Sequence, residues 1–101
     1  GALWIACVIS NRVIRLAPDL TWTVVFEDVD RAYLDKIAAD YAQGHLTWEQ
    51  IAQSRGSRVA NLSSVAFGGP DLKTLYLGGL GLGAVQVLRS PVAGMPMAHW
   101  R

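Results

Sequence analysis

A single cysteine, Cys7, rules out an intramolecular disulfide and a cysteine-based zinc site, and it is compatible with a reducing compartment. The two histidines, His45 and His99, stand alone with no fixed spacing to carboxylates, so both read as structural rather than as metal ligands. Neither sign of charge dominates. Nine Lys and Arg against eight Asp and Glu leave a net +1, which is no footprint for nucleic acid or an anionic membrane. Long apolar runs are also missing. The longest, Ala2 to Ile9, falls far short of the ~20 residues of a helical membrane span, and no charged segment precedes it as in a signal peptide. What is present is 51% hydrophobic residues against 17% charged, a globular composition well away from disorder. At 101 residues the chain is one domain at most, with a modest core. It opens without Met, directly on a strand-like run, which reads as a portion of a longer chain.

The most informative stretch is Asn61 to Leu77. Asn61 to Phe67 is apolar and small, the pattern of a strand buried on both faces. Gly68-Gly69-Pro70-Asp71 supplies positive φ, a fixed φ and a side chain that can hydrogen-bond its own backbone, which together make a tight turn. Thr74 to Leu77 returns to β-branched, aromatic and aliphatic residues, completing a β-hairpin.

Upstream, residues 3–9, 12–16 and 22–27 read as three short strands, separated by Ser10-Asn11 and by Ala17-Pro18-Asp19. Leu34, Ile37, Ala38 and Tyr41 then fall at i, i+3, i+4 and i+7, one face of a helix with Asp30 as N-cap and Gly44 just past its end. Thr47 and Gln50 fit a capping box that opens a second short helix to about Ser54. Residues 29–58 are therefore a helical insertion, with its helices within about 30–54, between strand regions 1–28 and 59–101. Arg55 and Arg58 read as its solvated exit. A last strand is expected over 84–88, followed by an irregular tail.

The chain also repeats itself. Leu3-Trp4-Ile5-Ala6 aligns with Leu75-Tyr76-Leu77-Gly78, and Val13-Ile14-Arg15-Leu16 with Val85-Gln86-Val87-Leu88, both at an offset of 72 positions. Without an insertion of about 30 residues, roughly 40 remain, close to one four-stranded propeller blade.

Two separated motifs carry a family resemblance. Ala66-Phe67-Gly68-Gly69-Pro70-Asp71 with Leu75-Tyr76 is similar to the FGG-D-x-x-x-LY signature of the gluconolactonase, regucalcin (senescence marker protein) and luciferin-regenerating enzyme family. Gly1-Ala2-Leu3-Trp4-Ile5-Ala6, then Arg12-Val13-Ile14-Arg15 and Pro18-Asp19, resembles that family's G-x-LW-V-A and RV-x-R-x-x-P-D blade. The resemblance implies a mainly β chain, about two incomplete blades of a six-bladed β-propeller. Strands B, C and D of one blade would be 3–9, 12–16 and 22–27, and strands A, B and C of the next 60–67, 74–78 and 84–88. It implies metal-dependent hydrolysis of a sugar lactone, with a divalent metal (Ca, Zn or Mn) in the complete protein. The metal ligands it implies would all precede residue 1, so no catalytic or metal-binding residue is assigned here, and the 101 residues alone are expected not to turn over. The alternative is a non-enzymatic module, a homo-oligomer or a companion of another propeller chain, associating through its open blade edges.

Five residues remain as candidates. Ser63 and Ser64, on the inner strand, are candidate channel-lining residues, although a buried strand serine bonded to backbone is the plainer reading. Tyr33, Tyr41 and Trp48 are candidate ligand contacts if the insertion is a lid over the channel mouth; packing the lid onto the blades is the plainer role. Gly79-Leu80-Gly81-Leu82-Gly83-Ala84 mimics a dinucleotide fingerprint, but strand-like Val85 to Leu88 follows where that motif needs a helix, so no nucleotide cofactor is expected and the stretch reads as a flexible loop joining strands B and C.

Overall fold

The hydrophobic alternation of the first 27 residues produces an antiparallel sheet of β1 (Leu3–Cys7), β2 (Arg12–Leu16) and β3 (Trp22–Glu27), in that order. The computed structural model describes residues 1–100. Asn11 turns β1 into β2 at φ +47°, in the left-handed region that asparagine tolerates better than most residues. At the next turn the Asp19 carboxylate accepts from the Thr21 amide (3.0 Å) and hydroxyl (2.6 Å). A second antiparallel sheet contains β4 (Leu62–Gly68), β5 (Thr74–Gly79) and β6 (Gln86–Arg89), again in chain order. Its β4–β5 turn works as the sequence suggests: Gly69 takes φ +82° and Asp71 accepts from the Lys73 amide at 3.0 Å. Arg89 forks onto both Asp71 oxygens, and chiefly that bond holds the Asp71 carboxyl down to about 2.

Between the sheets lie α1 (Arg31–Ala42) and α2 (Trp48–Ala52). Asp30 caps α1 by accepting from the Tyr33 amide at 3.1 Å, and Gly44 follows its end at φ +75°. Thr47 and Gln50 form the expected reciprocal box, with bonds of 3.2 and 2.9 Å. Neither helix is long and apolar enough to cross a membrane.

Four details differ from the sequence reading. The first strand ends at Cys7 rather than at residue 9. The last begins at Gln86, the first residue paired with β5, with Ala84 in a bend before it and Val85 outside the strand. Strand β4 is not buried on both faces: Ser63, Ser64 and Ala66 are exposed, since β4 is an edge strand and nothing covers its outer side. The glycine-rich loop after β5 is pinned rather than free, the Leu80 and Gly81 amides donating to Asn61 and Ala60 carbonyls at 3.0 and 3.2 Å.

The two sheets stack, β1 against β4, and their core holds Val13, Val59, Leu62, Leu75 and Leu77, with Trp4, Phe26, Phe67 and Leu88 packed around it. Trp4 meets Phe67 edge-on, ring centroids 4.8 Å apart. The tail folds back over this pair, and the Gly94 amide donates to the Leu72 carbonyl at 2.8 Å. A methyl at Gly94 would lie 2.3 Å from Phe67 Cβ. Gly94→Ala should therefore cost about 1–3 kcal/mol by displacing Phe67 from Trp4. A fall in urea midpoint with unchanged slope would report it, and an unchanged midpoint would show that the tail does not press on the core.

The 72-residue repeat survives in three dimensions, down to the register. Leu3, Trp4 and Ile5 pair with Leu16, Arg15 and Ile14, while their counterparts Leu75, Tyr76 and Leu77 pair with Leu88, Val87 and Gln86. Exposure, however, is exchanged between the copies. Leu75 and Leu77 are 3% and 0% exposed, but Leu3 and Ile5 are 65% and 40% exposed. Conversely Val13 is fully buried and its counterpart Val85 is 59% exposed. Successive side chains of a strand point to opposite faces. Equivalent faces of the two sheets thus point the same way, and only the pair of faces between the sheets is covered.

Candidate functional site

The insertion is fastened to both sheets by four polar side chains, and this fastening positions a surface hollow. Asn11 is fully buried: its Nδ2 donates to the Ser54 carbonyl at 3.2 Å and its Oδ1 accepts from the Leu62 amide at 3.0 Å. Ser54 donates its hydroxyl to the Ile9 carbonyl. The Asp28 carboxylate, just past β3, accepts from the amides of Ser57 (2.8 Å), Arg58 (2.6 Å) and Val59 (2.7 Å) and from the Ser57 hydroxyl (3.1 Å). Its partial burial works against ionisation. The amides of Arg58, Ser57 and Val59 outweigh that and hold its pKa below the ordinary carboxylate value. Gly56 is required here, since a methyl on it would lie 2.1 Å from the Asp28 carbonyl oxygen. Asn61, in the left-handed region at φ +51°, donates Nδ2 to the Ile51 carbonyl at 2.6 Å and so ties α2 to the start of β4.

These ties leave a hollow of about 390 Å³ between α2 and the two sheet turns, lined by Val8, Trp48, Ile51, Arg55, Leu80 and Gly81 among others, with Asn61 at its floor. Trp48 is 81% exposed, its indole standing as an open wall. Arg55 is in no ion pair among the described residues, and no protein group there donates to Asn61 Oδ1. Both polar groups converge on Gly81. A methyl at that residue would lie 3.4 Å from Asn61 Oδ1 and 3.5 Å from Arg55 Nη2. The hollow therefore combines a cationic donor, a neutral acceptor and an aromatic wall, the equipment to hold a small hydroxylated or carbonyl-bearing molecule.

Of the three candidate aromatics of the insertion, only Trp48 lines this hollow. Tyr33 donates its hydroxyl to the Gln50 carbonyl at 2.7 Å and packs α1 onto α2. Tyr41 is exposed and borders a separate apolar hollow of about 270 Å³ with Ile9, Leu34, Ile37 and Leu46. Ser63 and Ser64 lie apart on β4, exposed, with the Ser63 hydroxyl 3.4 Å from the Gly78 carbonyl. His45 is exposed after α1, and His99 stands edge-on to Trp100.

No family model, curated protein or solved structure matches this chain. Its own residues decide what can be said of a metal. Among the described residues no three His, Cys, Asp or Glu side chains come together to hold one. Asp28 is committed to backbone amides, Asp71 to Arg89, and Glu27 lies between Arg12 (3.3 Å) and Arg31 (2.7 Å). Among the described residues these carboxylates do not come together as a divalent-metal site.

Arg55 and Asn61 were not legible as site residues. The first looks like a polar exit and the second like the start of a strand, and only folding brings them to the same glycine. The available signal was Gly81, a glycine in a loop between two strands, where close approach by other groups is common.

Proposed function

We propose that this chain is part of a gluconolactonase-like lactone hydrolase, its two sheets standing as consecutive blades of a six-bladed propeller and residues 29–58 forming a lid beside the channel. The observation that carries this reading is the exchanged exposure of the repeat. Identical registers with one face covered and its equivalent uncovered are what a serial stack of blades requires, and the two sequence motifs lie on the strands that form the stack. In this reading the chain contributes binding and orientation. Trp48 offers its face to the ring of the substrate, Arg55 donates to its oxygens, and Asn61 Oδ1 accepts from a hydroxyl. The metal that the resemblance implies would polarise the lactone carbonyl. Its ligands have no counterpart among residues 1–101, and no step is assigned to this chain.

Two measurements test it. The 101-residue chain should show no turnover of a sugar lactone with Ca²⁺, Zn²⁺ or Mn²⁺ added. In the complete protein Trp48→Ala should raise KM about three- to tenfold while leaving Tm unchanged, because the indole is mostly exposed. Turnover by the chain itself would overturn the ligand assignment, and a lower Tm with unchanged KM would make Trp48 a packing residue. A second reading, a non-enzymatic module that self-associates through open edges, is favoured by the edge strands β1, β3, β4 and β6 of the two open sheets.

A further inference from the structure

Two largely apolar sheet faces, each ending in an ion pair, are left uncovered on opposite sides of the molecule, and the repeat relates each of them to a face of the internal interface. Residues paired across neighbouring strands share a face. On the outer side of the first sheet the register therefore groups Leu3, Ile5, Ile14, Leu16, Trp22 and Val24, six apolar side chains, with the Arg12–Glu27 ion pair at the far end of the same face. Leu3 and Ile5 are the counterparts of Leu75 and Leu77, which close the internal core against Trp4 and Val13. On the outer side of the second sheet the register groups Tyr76 and Val87 with Ala66, with Arg89, bonded to Asp71, at one end, and Tyr76 is the counterpart of Trp4. The first face is thus a second copy of what presses on Trp4, and the second face is a second copy of what receives it. Small Ala66 and Ser64 beside Tyr76 leave the receiving face open.

We infer that a second copy of this chain docks head-to-tail, the Leu3/Ile5 face of one copy seated on the Tyr76/Val87 face of the next. The contact continues the internal sheet stack across the copy boundary. It is heterologous, so successive copies close into a ring if the rotation allows and otherwise grow as an open series. The inference rests on the stacked-sheet part of the proposed function and not on lactone chemistry, and it places association on faces rather than on strand edges.

The test uses two charge insertions at exposed positions, Leu3→Asp and Val87→Asp, with mass read by light scattering from about 1 μM to about 1 mM. Circular dichroism and thermal melting check that both variants keep the wild-type fold. Wild-type mass should rise with concentration in multiples of 11.0 kDa. Each variant alone should stay at single-chain mass, its dissociation constant raised at least about tenfold by burying an unpaired charge. An equimolar mixture should form a one-to-one pair, because each variant keeps the face the other has lost. Leu3→Met and Val87→Ile should associate like wild type. A wild-type chain at single-chain mass throughout would overturn the proposal. So would a folded variant that associates by itself, which would point to symmetric or edge pairing, or a mixture that forms no pair. Lactone turnover enters none of these readings, so failure here and failure of the hydrolase reading are separable.

Discussion

Asn11→Ala should unfold the chain at markedly lower denaturant, with a loss of about 3–5 kcal/mol. Three costs add at this one residue. The Ser54 carbonyl and the Leu62 amide each lose their bond to the Asn11 side chain, in a fully buried position where no water replaces it. An orphaned buried group costs roughly 1–3 kcal/mol. Alanine must also hold φ +47°, at about 1 kcal/mol or more. A whole domain of this size has only about 5–15 kcal/mol to lose. Asn11→Gly separates the contributions, since glycine accepts the backbone angle but restores neither bond, and it should recover about 1 kcal/mol. Urea unfolding followed by circular dichroism measures both. If Asn11→Ala costs less than about 1 kcal/mol, the side chain is not what joins the first turn to the insertion and to β4.

The reach of that residue explains what the sequence could and could not reveal. The Asp30 cap, the Thr47–Gln50 box, the positive φ of Gly44 and Gly69 and the Asp71 turn were all legible, because each is satisfied within three or four residues. The repeat was legible too, and its pairing register carried over without a slip. The Asn11 bonds span 43 and 51 residues and the Asp28 bonds 29 to 31, and no local pattern encodes such partners. Asparagine after serine at a turn, and aspartate after a strand, have ordinary local explanations that hide the long-range ones. The candidate site failed to appear for the same reason. Trp48 was visible as an aromatic on an inserted helix, but Arg55, Asn61 and Gly81 meet only after α2 has been tied to β4. The exposure of Leu3 and Ile5 could not be read at all, since their sequence context is that of the buried Leu75 and Leu77.

A fold built by stacking sheets needs something to set the insertion against the stack. α1 and α2 bury few residues of their own, with Ile37 the buried residue of α1 and none in α2. Their position therefore depends on polar ties at the insertion's two ends. Asn11 and Asn61 hold the end of α2 near the sheet turns, and Asp28 gathers the returning chain just before Val59 enters the core. The hollow inherits its shape from these ties, because Arg55 stands between Ser54, bonded to Asn11, and Gly56, packed against Asp28.

Asp28→Ala should cost about 2–3 kcal/mol and should loosen residues 55–60 before the rest of the chain unfolds. The carboxylate is the acceptor for three consecutive amides, and bonds to a charged group are worth more than neutral ones. One of those amides belongs to Val59, a core residue, so its loss reaches the sheet interface. Hydrogen exchange at the Ser57, Arg58 and Val59 amides should accelerate in the variant while exchange in β2 and β5 changes only by the global loss. The pH dependence gives a second reading. Asp28 has its folded-state pKa below the ordinary 3.8, so its contribution is complete above that value and is lost as pH falls through the folded-state value. Asp19 and Asp71 shift in the same direction and also weaken the fold in acid. Asp28→Asn should therefore be less stable than wild type at pH 7 and should flatten only part of the decline below about pH 4. An Asp28→Asn profile parallel to wild type through that range would show that the carboxylate's charge does not hold the returning chain, and that its amide contacts are incidental to where the insertion sits.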